Sequence, residues 1–115
     1  MKLPNATAAF IDIRKLVEYA LDFDDPRGRH KARVFRAALN ITIKDASDLK
    51  ELILTAVADC DCTVGELDFY GQRYSVDCKI DFCGKTARIR TGWIVRRDED
   101  FPRLTTVFVL KEEPR

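Results

Sequence analysis

The chain offers little to metal or cofactor chemistry. It has one histidine among 115 residues, and its four cysteines are Cys60, Cys62, Cys78 and Cys83. That spacing, C-x-C and then C-x4-C, matches no zinc knuckle. The expectation is free, buried thiols in a reducing compartment and no bound metal. Phosphate-cradling glycine loops, an HExxH helix and a nucleophile elbow are all missing, so no cofactor is expected. There is no surplus of charge either: 20 basic side chains meet 19 acidic ones, for a net +1. Any attraction for nucleic acid must therefore be local. No apolar run reaches the length that crosses a bilayer. Met1–Phe10 lacks the basic start and long apolar stretch of a secretory signal. A cytoplasmic chain with no membrane partner is expected. With only four prolines and five glycines, no linker, repeat or low-complexity tract stands out, and one domain over 1–115 is the default.

What is present is alternation. From Arg73 to Phe82, Tyr74, Val76, Cys78, Ile80 and Phe82 are apolar and the residues between them polar. A period of two over this length is a half-buried strand. Residues 85–97 alternate likewise, with Ala87, Ile89, Thr91, Trp93 and Val95 against Thr86, Arg88, Arg90 and Arg96. Cys83-Gly84 between them reads as a two-residue turn. That turn sets Phe82 opposite Lys85, Cys78 opposite Ile89 and Tyr74 opposite Trp93. A slip of one residue would oppose apolar to polar throughout, so the register is well specified. The same register pairs Asp77 with Arg90, a cross-strand ion pair, and Lys79 with Arg88, a local positive spot. After the charged loop 97–103, closed by Pro102, residues 104–110 (LTTVFVL) form a strand expected at the sheet centre or under a covering element. Leu67–Tyr70 is a candidate short edge strand.

Three helices are expected before the sheet. Phe10-Ile11 makes a short extended piece, and Asp12 caps a helix over 12–21 whose stripe is Ile13, Leu16, Val17, Ala20 and Leu21. A second helix covers 29–39, with Ala32, Phe35, Ala38 and Leu39 inward. A third covers 46–59, capped by Asp45 or Ser47. Helices followed by an antiparallel meander of three to four strands argue an α+β fold, the helices lying on one face of the sheet.

Lys31 falls inside the apolar stripe of the second helix, in its first turn, where the helix dipole disfavours a cation. It either snorkels at the helix end or is placed for chemistry. With His30 it could handle protons. Arg73, Arg88, Arg90 and Arg96 share the polar sheet face and could hold phosphate as forks. The plain alternative is a solvated basic surface. Tyr70 is the aromatic best placed to stack on an unpaired base, whereas Tyr74 and Trp93 point to the core. Thr105 and Thr106 could bind phosphate, and Asp98, Glu99 or Asp100 could serve as base. A charged turn and β-favouring threonines explain these residues equally well.

The blocks GRHKARVF (28–35), YGQRYSVD (70–77) and WIVRRDEDFPRLTT (93–106) resemble a family of small bacterial proteins with a domain of unknown function. Relatives of that kind are encoded singly, beside small antitoxin-like genes, or at the ends of larger toxin-like proteins. The order of elements is also similar to the barnase–EndoU–colicin–RelE group of ribonuclease folds. That similarity implies catalytic roles for His30, Lys31, Arg90 and Thr105 or Thr106. It also implies a departure: Phe108 stands where many such enzymes carry a tyrosine, and a phenyl ring cannot donate a proton.

The leading expectation is a metal-independent endoribonuclease-like domain, a toxin acting on RNA and paired with a small antitoxin-like protein. Lys31 or His30 would transfer protons, and Arg90 with Arg73 or Arg96 would hold the phosphate. The competing expectation is a non-catalytic module that binds a partner protein or itself as a homo-oligomer. A plain RNA binder is the third. Convergence of His30, Lys31 and an arginine separates the first from the second.

Overall fold

The alternating stretch folds as a long hairpin, and the rest of the chain is arranged on it. A computed structural model describes residues 1–110 of the protein. Its four antiparallel strands, β1 (Cys62–Asp68), β2 (Gly71–Phe82), β3 (Lys85–Arg96) and β4 (Pro102–Val109), lie in the order β1-β2-β3-β4. The β2–β3 register is the expected one throughout: Phe82 faces Lys85, Cys78 faces Ile89, Asp77 faces Arg90 and Tyr74 faces Trp93. Both turn residues, Cys83 and Gly84, have positive φ, the combination whose twist matches the flanking strands. Cys83 is exposed there, which corrects the expectation that all four thiols are buried.

Helices cover one face of the sheet. Helix α1 (Arg29–Leu39) buries Ala32, Phe35 and Leu39 against β3 and β4. Helix α2 (Ala46–Asp59) buries Leu49, Ile53 and Val57 over β2. Opposite them stand Val76, Cys78, Ile80, Ile89 and Trp93. The fold is α+β, as the pattern implied.

Three local expectations need correction, and one pair of alternatives is decided. First, the segment 12–21 is not a regular α-helix. Leu16–Ala20 is a π turn, closed by the Leu21 N–H donating to the Leu16 carbonyl at 2.8 Å. The wider turn brings Leu16 and Leu21 onto one side, and both are fully buried. Asp12 does start the segment, its Oδ1 accepting from the Arg14 N–H at 3.0 Å. Second, neither Asp45 nor Ser47 caps α2 with its side chain. The Asp45 carboxylate instead accepts from the Thr42 N–H at 2.9 Å, closing a capping box on the 3₁₀ turn Ile43–Asp45 that feeds the helix. Third, of the two places expected for β4 the second holds: it is an edge strand, covered by α1. Its apolar content serves α1 on one side and the N-terminal arm at its rim. Fourth, the edge strand β1 is longer and earlier than Leu67–Tyr70, whose last two residues form the turn into β2.

The arm touches both sheet edges. Lys2 bridges Asp61 just before β1. Phe10 bridges Arg103 on β4, its N–H donating to the Pro102 carbonyl at 2.9 Å and its carbonyl accepting from the Leu104 N–H at 3.0 Å. Pro102 has no N–H to leave unpaired, so it opens this edge strand at no hydrogen-bonding cost.

Thr91 is the one buried polar side chain among the described residues. Its hydroxyl donates to the Val76 carbonyl at 2.9 Å and accepts from Trp93 Nε1 at 2.8 Å. Thr91→Val keeps the volume but strands the indole N–H in the core. Urea unfolding should show a loss of about 1–3 kcal/mol, and Thr91→Ser, which retains the hydroxyl, should lose less.

Candidate functional site on the open sheet face

The face of the sheet away from the helices is open, and its residues follow from the register. One cross-strand row is Thr63, Ser75, Gly92 and Thr106. All four are small, and longer side chains flank them, so side-chain size makes the row the floor of a shallow furrow from β1 to β4. On one side stand Asp77, Arg90 and Phe108, then Lys79 and Arg88. On the other stand Arg73 and Arg103, with Ile94 buried between them. The rows at Arg90 and Ile94 are four residues apart along β3, about 13 Å.

Gly92 sets the depth of the furrow at β4. A β-bulge there places both Thr105 and Thr106 against Gly92. A Cβ on Gly92 would lie 2.7 Å from Thr106 Oγ1 and 3.0 Å from Thr105 Oγ1. Both hydroxyls thus lean over the glycine. Neither has a hydrogen-bond partner among the described side-chain contacts.

At the β4 end of the row, Thr106 also lines a hollow of about 420 Å³, together with Thr105, with Asp12, Arg14, Lys15, Glu18 and Tyr19 of the π-turn segment, and with Arg27. Lys31 adjoins it from α1. Its ammonium donates to the Tyr19 hydroxyl at 3.4 Å and lies 4.9 Å from the centre of the Tyr19 ring. Arg27 sits 5.6 Å from the same ring. On its other side Lys31 lies 5.4 Å from the Phe108 ring. A second, apolar hollow of about 300 Å³ begins there, lined by His30, Lys31, Val34, Phe108, Val109 and Leu110.

Lys31 is therefore half-buried between two aromatic faces, which attract a cation through the ring quadrupole. Gly28 permits the arrangement. A Cβ on it would stand 2.0 Å from the Tyr19 carbonyl oxygen, so only glycine lets α1 start this close to the π turn.

The carboxylates define which cations are already engaged. Arg90 forks onto Asp77 at 2.8 and 2.9 Å, and Arg73 meets Asp68 at 2.7 Å. Arg96 is 4.0 Å from Glu99, whose carboxylate is held at 2.7 Å by both arms of Arg103. Glu99 is thus occupied by arginine rather than free to act as a base. The Arg14 guanidinium and backbone N–H hold Asp12 far below the usual carboxylate range, at about 2. Arg88 and Lys79, facing each other with no carboxylate bridge among the described residues, are the anion-ready pair on the open face.

The sequence-derived candidates therefore fall into three places. Arg73, Arg88, Arg90, Arg96 and Thr106 share the open face, and Thr105 joins Thr106 at its rim. His30 and Lys31 stand beyond the β4 edge, Lys31 against the hollow that Thr105 and Thr106 line and His30 in its neighbour. Tyr70 is remote, in the β1–β2 turn, edge-on to Phe69 with ring centroids 5.6 Å apart. Sequence reasoning missed Lys15, Glu18, Tyr19, Arg27 and the furrow floor. The floor left a signal: the hairpin register alone sets Ser75 opposite Gly92, two small residues on a face otherwise rich in charge. Tyr19 left none, because a regular helix over 12–21 would aim it differently.

A family model described as a domain of unknown function (DUF6883) matches residues 2–111. No curated protein and no solved structure matches the chain significantly.

Two outcomes test this geometry. Gly28→Ala should push α1 off the π turn and destabilise the protein by about 1–3 kcal/mol. The upfield ring-current shift expected for the Lys31 side-chain protons over Tyr19 should vanish with it. Acid stability is the second. Asp12, Asp25, Asp68, Asp77 and Glu99 are all held below their ordinary values of 3.8 and 4.5 by arginine partners or backbone N–H groups. The folded state therefore stays ionised in acid where the unfolded chain has taken up protons. Their stabilisation is complete above pH 4.5, and falls as pH drops through the lowered values, down to about 2 for Asp12. Thermal melts against pH should show this loss, and Asp77→Asn should reduce it.

Proposed function

The chain belongs to the DUF6883 family, and we propose that it is a metal-independent endoribonuclease-like domain, the toxin of a bacterial toxin–antitoxin pair. Single-stranded RNA lies along the furrow and is cut at the β4 edge. The observation that carries this reading is that Thr106 both ends the furrow row and lines, with Thr105 and Tyr19, the hollow whose Tyr19 hydroxyl Lys31 contacts.

Cleavage of this type is attack by a ribose 2′-oxygen on the adjacent phosphorus. The P–O5′ bond breaks, leaving a 2′,3′-cyclic phosphate and a 5′-hydroxyl. It requires a base at the 2′-hydroxyl, an acid at the 5′-oxygen, and cations for the charge on the equatorial oxygens. Lys31 and Arg27 flank the Tyr19 ring, and Lys31 holds its hydroxyl at the hollow, so Tyr19 is the O–H donor that would protonate the leaving oxygen. Glu18, on the hollow's rim, is the carboxylate placed to receive the 2′-proton. Lys15 and the Thr105 and Thr106 hydroxyls meet the phosphoryl oxygens. Arg88, Lys79 and the outer nitrogens of Arg90 and Arg73 hold flanking phosphates. His30 faces the neighbouring hollow and is the alternative proton donor. In this scheme Tyr19, from the π turn, supplies the phenol that Phe108 cannot.

A second reading, the partner-binding module, is favoured by a different observation. Val64, Leu67, Phe69 and Tyr70 are 52%, 69%, 82% and 68% exposed along the β1 edge and its turn. Together they form an apolar strip of the kind that marks protein contacts.

The deciding assay incubates purified protein with tRNA and mRNA in EDTA. Cleavage should persist there and fall at least ~100-fold in Tyr19→Phe and in Lys31→Ala. Lys79→Ala and Arg88→Ala should weaken binding of an uncleavable deoxy-substituted oligonucleotide and each flatten its salt dependence. Binding without cleavage would leave an RNA binder. Neither binding nor cleavage by folded protein would transfer the assignment to the interaction module.

A further inference from the structure

Three of the four cysteines meet at one corner of the molecule, where α2 ends and β1 begins. The β1–β2 ladder pairs Cys62 with Val76, Thr63 with Ser75 and Val64 with Tyr74. The ladder ends at Cys62; Cys60, two residues before it, has extended backbone (φ −91°, ψ 149°), and carrying the register on to it sets Cys60 opposite Cys78. Both thiols point to the helix-covered side. Cys78 is buried in the core cluster and Cys60 packs against it half-buried. Burial, and after it the neighbouring Cys60 thiol, push the Cys78 thiol up to about 12. Residues directly opposite in an antiparallel pair have Cα atoms about 4.5–5.5 Å apart, inside the range that a disulfide spans.

We propose that Cys60 and Cys78 form a redox modification site, oxidised to an intrachain disulfide by exchange with a small-molecule disulfide of the glutathione type. Cys60, the more accessible of the two, attacks one sulfur of the oxidant as thiolate and expels one equivalent of small thiol. The Cys78 sulfur, losing its proton, then displaces the second equivalent from the mixed disulfide. The protein loses two hydrogens and the oxidant is reduced to two thiols. The covalent ring so closed contains all of β1 and the β1–β2 turn. Oxidation therefore restrains the strand that supplies Thr63 to the furrow and the turn that carries Phe69 and Tyr70.

The neighbouring thiols compete poorly. Cys62 is buried on the diagonal from Cys78 rather than opposite it, and Cys83 is exposed in the β2–β3 turn at the far end of the hairpin. Cys83 is suited to a mixed disulfide with the oxidant or to linking two chains.

The test exposes the folded, reduced protein to oxidised glutathione, then blocks free thiols and digests before aspartate. Cleavage before Asp61 separates Cys60 from Cys62, so the linked fragments identify the pair. The expected product joins the Asp59-Cys60 fragment to the fragment beginning at Asp77. It should form in Cys62→Ala and Cys83→Ser, and be absent in Cys60→Ser, a half-buried change that should leave the fold intact. Oxidation should raise Tm by roughly 5–15 °C, reversibly with dithiothreitol. Four blocked thiols after incubation with folded protein, a Cys62–Cys78 link, or adducts confined to Cys83 would each overturn the proposal.

Discussion

The register of the β2–β3 hairpin is the constraint on which the rest depends. Its tight turn at Cys83-Gly84 fixes parity along two strands of twelve residues each. Even positions of β2 and odd positions of β3 face the helices, and the opposite set faces outward. Burial of Val76, Cys78, Ile80, Ile89 and Trp93 drives the arrangement, because a one-residue slip would carry all of them into water. The same parity places Arg73, Arg88, Arg90, Ser75 and Gly92 together on the open face. The candidate site is thus a consequence of core formation rather than a separate construction.

Around this hairpin the chain solves two further problems. An open four-stranded sheet has two edges, and exposed edges invite association. The N-terminal arm answers at both, through Lys2 beside β1 and Phe10 beside β4. What it leaves uncovered is β1 beyond Cys62, where the exposed apolar side chains lie. The second problem is the placement of Lys31. Its position in an apolar stripe is resolved by two aromatic rings rather than by solvent. That depends on the π turn, which presents Tyr19, and on Gly28, which lets the two segments touch.

The electrostatics of the open face are mostly internal. Arg73, Arg90 and Arg103 each have a carboxylate within 2.7–2.8 Å, so they rigidify the face as well as charging it. Among the described residues, Arg88 and Lys79 have no carboxylate bridge and carry the uncompensated part. A net charge near zero is compatible with an anion site because the charge is sorted by location: acidic residues alternate with basic ones along β2, while the outward side of β3 carries only arginines among its charged residues.

Much of this was legible in the chain. A period-two pattern specifies strand, face and register by itself, since pairing partners follow from one turn, and the inner-face residues and the Asp77–Arg90 pair were readable from it. Helical periodicity likewise located α1 and α2 and marked Lys31 as misplaced. Other features required the tertiary structure. The π turn differs from an α-helix by one hydrogen-bond step, chosen by how Leu16 and Leu21 fit the core. The β3–β4 register includes a bulge at Thr105, which no alternation pattern encodes. The edge position of β4 reflects what packs beside it, because an apolar strand reads alike at the centre of a sheet and beneath a helix. The meeting of Tyr19, Lys31, Thr105 and Thr106 draws on segments distant in sequence. Sequence periodicity reports which face a residue takes within its own element. Only packing decides which faces of separate elements come to share one hollow.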